Sequence, residues 1–189
     1  MIFASDNCGP ALPEVMEAVV AANTGFQASY GADEMMDEVR DLIRVAFEAP
    51  EAAVYLVATG TAANALALSP LAKPWDTLFC TPLARIHVDE CHTSQRGPLA
   101  LTQVTERGRV YSLDEIAALT SVAKAHGLST HMDGARFANA MAALGCSAAE
   151  MTWKAGIDAV SFGGTKNCCL GVEAVVFFDP AHAWEFELR

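Results

Sequence analysis

Short apolar runs alternate with stretches of helical period along this sequence, and that alternation constrains the fold more than any other feature. Val54–Ala58, Thr77–Cys80, Leu99–Thr102, Leu128–Met132, Ile157–Phe162 and Glu173–Phe178 read as strands. Helices fall between them. Pro13 suits a first turn, Asp33 an N-cap, and Ser112/Glu115 and Ser147/Glu150 have the spacing of capping boxes. Gly127 and Gly145 stop two of these helices. In the helix after Asp33, Met36, Val39, Leu42, Ile43, Ala46 and Phe47 fall at helical spacing and read as core. A helix is also expected to start at Asp179-Pro180. Such alternation builds an α/β fold, a three-layer α/β/α sandwich around a mostly parallel sheet. At 189 residues, 52% of them hydrophobic, the chain suits one domain over residues 1–189.

The run Ile157–Phe162 breaks into Gly163-Gly164-Thr165-Lys166. Ligands of open α/β sheets bind outside the carboxyl ends of the strands. Lys166 and Asp133 both lie at such ends, one strand–helix–strand unit apart. An aspartate facing a pyridinium nitrogen and a lysine able to form a Schiff base are the two anchors of pyridoxal 5'-phosphate (PLP). Gly60 and Thr61, between a strand and a helix, would offer free N–H groups and a positive dipole to a phosphate. Thr165 adds a hydroxyl donor, and Gly163 and Gly164 would let the backbone approach a ligand closely. The alternatives are a surface lysine after a turn and a strand–turn–helix unit that binds nothing.

Other classes are disfavoured. The net charge of −11 argues against nucleic acid and anionic membrane as partners. No run is long and apolar enough to span a bilayer, and MIFASDN lacks the features of a signal peptide. The six cysteines show no zinc spacing, so no metal site is expected and a reduced, cytoplasmic setting is. No Gly-x-Gly-x-x-Gly follows the first strand, which disfavours a dinucleotide-binding domain.

HMDGARFANA, TWKAGIDAVSFGGTKN, FASDN at Phe3–Asn7, ATGTAAN at Ala58–Asn64 and LTQVTERGRVYS at Leu101–Ser112 resemble the low-specificity L-threonine aldolases, PLP enzymes of the β-eliminating lyase group. The resemblance covers nearly the whole chain. It implies the PLP-dependent large domain of fold type I, with an antiparallel last strand. It also implies retro-aldol cleavage of L-threonine or L-allo-threonine to glycine and an aldehyde. Lys166 would carry PLP and Asp133 would pair with its ring nitrogen. Gly60, Thr61 and Thr165 would bind phosphate, and Ser5 and Arg136 the substrate carboxylate. Tyr30 would reach the active site of a neighbouring subunit in a homodimer or homotetramer. The chain departs from the family in places. The ring-stacking histidine falls at Arg85. His87 lies two residues on and would point the same way in an extended backbone, so either residue is a candidate for the ring and His87 for a catalytic base. After Cys91 the family's glycine-rich segment, strand and helix do not follow, and the family's small C-terminal domain is expected to be absent here. Another PLP reaction, β-elimination or transamination, or a non-catalytic remnant, is the alternative.

Overall fold

The computed structural model describes residues 5–73, 75–88 and 97–188. Its helices are α1 (Pro13–Ala22), α2 (Glu34–Ala46), α3 (Gly60–Leu68), α4 (Arg85–Val88), α5 (Leu113–Ala125), α6 (Phe137–Leu144) and α7 (Ala148–Met151). Its strands are β1 (Ala53–Val57), β2 (Leu99–Thr102), β3 (Thr130–Gly134), β4 (Ala159–Gly163) and β5 (Glu173–Phe177). They form one sheet in the order β1-β5-β4-β3-β2. β2, β3 and β4 pair in parallel, and β5 runs antiparallel to both β4 and β1. Because β5 reverses against both neighbours, β1 points the same way as β2, β3 and β4.

β5 is buried along its whole length, as a strand paired on both sides and covered on both faces must be. Alternation divides its side chains. Ala174 and Val176 join one core, Val175 and Phe177 the other. The first core gathers Phe47 after α2, Ile116 of α5, Phe137 and Ala140 of α6 and Met151 of α7 over Met132 and Val160 of the sheet. Phe47 meets Phe137 at 5.3 Å and Phe162 edge-on at 5.5 Å between ring centroids. On the opposite face α3 lays Ala63 and Ala67 against Ala159, Val175 and Phe177. Alanines bring the helix close to the sheet, so Asn64 reaches β3. The α/β/α layering and mostly parallel sheet read from the sequence are therefore present.

The expected local signals operate. Asp33 accepts from Met36 N at 2.9 Å, both capping boxes close reciprocally, and Gly145 ends α6 in the left-handed region. Other expectations need correction. Thr77–Cys80 is not a strand, since only Phe79 bridges, to Leu99. In α2, Ile43 and Phe47 reach the core, but Leu42 is 62% exposed and Ala46 is exposed too, because this helix lies at the rim of the sheet beside β1. Asp179 caps a 3-10 turn, Pro180–Ala183, rather than an α-helix. Arg85–His87 is helical, so the extended-backbone argument for His87 facing the same way as Arg85 fails; two residues along a helix diverge by about 200°. The proposed junction after Cys91, with Asp89 and Glu90 before it, lies outside the described residues.

Candidate active site

One edge of the sheet receives the carboxyl ends of β1, β2, β3 and β4 and the first residue of β5. Register places Glu173 beside both Val57 and Gly163, and Asp133 opposite Ser161. The turns after β1, β3 and β4 therefore meet, bringing Gly60, Asp133 and Lys166 to the same edge although they are far apart in sequence.

Asp133 is 8% exposed and faces the α3 side. Asn64 Nδ2 donates to its Oδ2 at 3.0 Å and Ala135 N to its Oδ1 at 3.0 Å, so helix and turn fix both oxygens. His131 precedes it on the same strand face. It is fully buried, its Nε2 lies 2.9 Å from Ser161 Oγ, and burial lowers its pKa to about 3, so the ring is neutral. This pair ties β3 to β4 below Asp133.

Lys166 sits in the 3-10 turn Thr165–Asn167, its side chain 17% exposed and Nζ 3.8 Å from Asp6 Oδ1. The glycines before it serve a purpose other than the one expected. A Cβ on Gly163 would stand 2.6 Å from Ala135 O, and one on Gly164 would stand 2.6 Å from Val172 O. It is the protein's own backbone that approaches them, with the β3 and β4 turns packed together. Glu173 closes the turn from below, accepting from Gly164 N at 3.0 Å. Burial raises its carboxyl above the usual range and the charge of Asp133 adds to this, while hydrogen bonds from Thr165 and Gly164 pull the other way.

At the head of α3, the Thr59 hydroxyl accepts from Ala62 N at 3.1 Å. Among the described residues no acceptor takes the N–H groups of Gly60 and Thr61, and a Cβ on Gly60 would meet nothing within 4 Å. The turn thus opens onto free space with donors pointing into it. Thr165 directs its N–H at Val172 O at 3.1 Å, and its hydroxyl lies between Val172 O, at 3.4 Å, and the Glu173 carboxyl. Arg136 pairs through Nε and Nη2 with Asp6. Ser5, next to Asp6, caps the short turn Asp6–Cys8 with its hydroxyl on Asn7 N. Arg85 and His87 are exposed on α4, and the backbone N of Arg85 donates to Glu106. Tyr30 is 102% exposed, with a positive φ of 61°.

Asp6, Asn64 and Glu173 did not stand out as site residues in the sequence. Asn64 and Glu173 carried a faint signal, a polar residue in an apolar helix and an acid at the head of an apolar strand. Asp6 carried none, because its partners are distant in the chain. The donor set fits PLP: a buried carboxylate for the ring nitrogen, a lysine at the neighbouring strand end, and an open helix N-terminus for the phosphate. Among the described residues no cluster of three His, Cys, Asp or Glu could hold a metal, and no helix is long and apolar enough to cross a membrane.

Comparison with known proteins gives the family and the fold. The sequence matches the Beta-eliminating lyase family over residues 3–97 and 85–188, in two pieces that overlap around the proposed junction. It is 37% identical to the low specificity L-threonine aldolases of a Pseudomonas species and of Pseudomonas aeruginosa. Each match takes in 99% of this chain and 64% of the relative, so the chain spans less than two thirds of their length. The match runs over 224 positions, more than the 189 residues here, so the relatives carry residues inside the matched region that this chain does not. The structure of a Leishmania major threonine aldolase superposes with a TM-score of 0.86 at 21% identity, covering 98% of this chain and 66% of that one, a likeness of fold. Matched along nearly its whole length by the family, the chain belongs to the beta-eliminating lyases.

Proposed function

We propose that this chain is the PLP-binding large domain of a threonine aldolase. It would split L-threonine, L-allo-threonine and related β-hydroxy-α-amino acids between Cα and Cβ into glycine and an aldehyde. The observation that carries the reading is the meeting of Asp133, Lys166 and the open N-terminus of α3 at one sheet edge. The relatives named low specificity L-threonine aldolase support the substrate class.

When bound, PLP would supply the electron sink for the electron pair left by the broken carbon–carbon bond. Lys166 would hold it covalently through its amine. Asp133, fixed by Asn64 and Ala135, would keep a proton on the ring nitrogen. Gly60 and Thr61 would bind the phosphate through their N–H groups, joined by Thr165 if its hydroxyl turns from Val172. Arg136 and Ser5 would orient the substrate carboxylate. Arg85 or His87 would face the ring, and His87 is the candidate for receiving the β-hydroxyl proton. Tyr30 and the exposed Met16, Val19 and Val20 of α1 suit burial against a second subunit, in a homodimer or homotetramer.

The test is an absorbance spectrum of the purified chain with added PLP, then borohydride reduction and peptide mapping. A new band and a label on Lys166 are expected. A label on Lys73, Lys124 or Lys154 would sink the assignment. Threonine should yield glycine and acetaldehyde in equal amounts; a keto acid with ammonia would mean elimination, and no band a non-catalytic chain.

A further inference from the structure

We propose that Asp6 is a positioning residue that aims Arg136 at the carboxylate of an amino-acid ligand. The proposal rests on the threonine aldolase reading above. Asp6 Oδ2 lies 2.6 Å from Arg136 Nε, and Oδ1 lies 3.2 Å from Nη2. The same Oδ1 lies 3.8 Å from Lys166 Nζ. A guanidinium has two edges on which a carboxylate can sit two-pronged. Asp6 takes the Nε–Nη2 edge. Among the described residues no acceptor sits on Nη1, so the Nη1–Nη2 edge is left for a second carboxylate.

Asp6 is built to hold rather than to leave. It opens the short turn Asp6–Cys8, which Ser5 caps. A few residues on, Leu12 N donates to Cys168 O at 3.0 Å, so the segment is tied to the turn that carries Lys166. Partial burial works to raise the Asp6 carboxyl. The hydrogen bond from Arg136 and the charges of Lys166 and Arg136 outweigh it and hold the carboxyl below its usual range. Asp6 is therefore anionic throughout the neutral range. With Lys166 given over to PLP, Asp6 is left to Arg136, and the free Nη1–Nη2 edge is the part of the guanidinium open to a ligand carboxylate. The opposite role for Asp6 would be that of a stand-in, sitting where the substrate carboxylate belongs and competing with it. The two roles predict opposite signs.

The test uses Asp6→Asn and Asp6→Glu with two readouts. In the cofactor-free chain, the Arg136 Nε–H is followed by ¹⁵N NMR, identified by its loss in Arg136→Lys. A slowly exchanging signal should be lost in Asp6→Asn and kept in Asp6→Glu. In the PLP-loaded chain, glycine is titrated by absorbance. Its Kd should rise about tenfold or more in Asp6→Asn, as loss of an ionic two-pronged bond implies, and recover to within about threefold in Asp6→Glu. Glycine binding as tight as the parent's, or tighter, in Asp6→Asn would overturn the proposal, and so would an unchanged Nε–H signal. A parent chain that gives no PLP band would instead sink the aldolase reading, and the NMR comparison alone would then decide whether Asp6 holds Arg136.

Discussion

His131 should make this fold acid-sensitive in a window set by its burial. In the unfolded chain its pKa is near 6.5; in the folded chain it lies at about 3, because the ring is fully buried. A base with a depressed folded pKa binds fewer protons folded than unfolded. The stability it contributes is complete above about pH 6.5, falls as the pH drops, and is fully lost below about pH 3. At pH 5 the unfolded histidine is protonated by about thirty to one while the folded one stays neutral, which costs about 2 kcal/mol relative to pH 7. Stability against pH sums over every ionisable group of the chain, so the parent alone is not diagnostic. The comparison is with His131→Gln, whose amide can reach Ser161 Oγ in place of Nε2 but does not titrate. Urea unfolding of both proteins at pH 7 and pH 5 gives the stability gap between them at each pH. That gap should shrink by about 2 kcal/mol on acidification. An equal gap at both values would show that the ring is charged in the folded protein or that water reaches it, and the reasoning from burial would be wrong.

Asp133→Asn should fold, because Ala135 N still donates to the amide oxygen and Asn64, with its own amide turned over, can accept from the new amide nitrogen, but lose most threonine cleavage; turnover at the parental rate would remove Asp133 from the role of ring partner. Gly163→Ala should destabilise by about 2 kcal/mol or more by urea unfolding, since its Cβ meets the Ala135 carbonyl and neither backbone can yield cheaply. Cys168→Gly should stabilise by about 0.5–1 kcal/mol, because Cys168 holds a left-handed φ of 63° beside Lys166 that glycine adopts freely; a thermal midpoint that does not rise would refute this.

The sequence by itself determined the elements and the ends of strands at which chemistry could occur. Periodicity and caps are local properties, written in residues a few positions apart, so the capping boxes at Ser112 and Ser147 and the stop at Gly145 were legible. So were Asp133 and Lys166, because a polar residue that ends an apolar run stands out. Tertiary structure alone decided what each of these residues touches. Asn64 reaches Asp133 only because Ala63 and Ala67 let α3 settle onto the sheet. Asp6 meets Arg136 and Lys166 across most of the chain, and nothing local marks that contact. Gly163 and Gly164 were legible as necessary but not for the right reason, because whether a ligand or a neighbouring turn fills the space above a glycine depends on how strands pack. The argument that Arg85 and His87 point the same way failed for the same reason. Their relative direction depends on backbone conformation, and a short helix, not a strand, carries them. Local sequence sets which conformations are cheap, while the sheet order, with β5 reversed between β1 and β4, sets which distant residues share an edge.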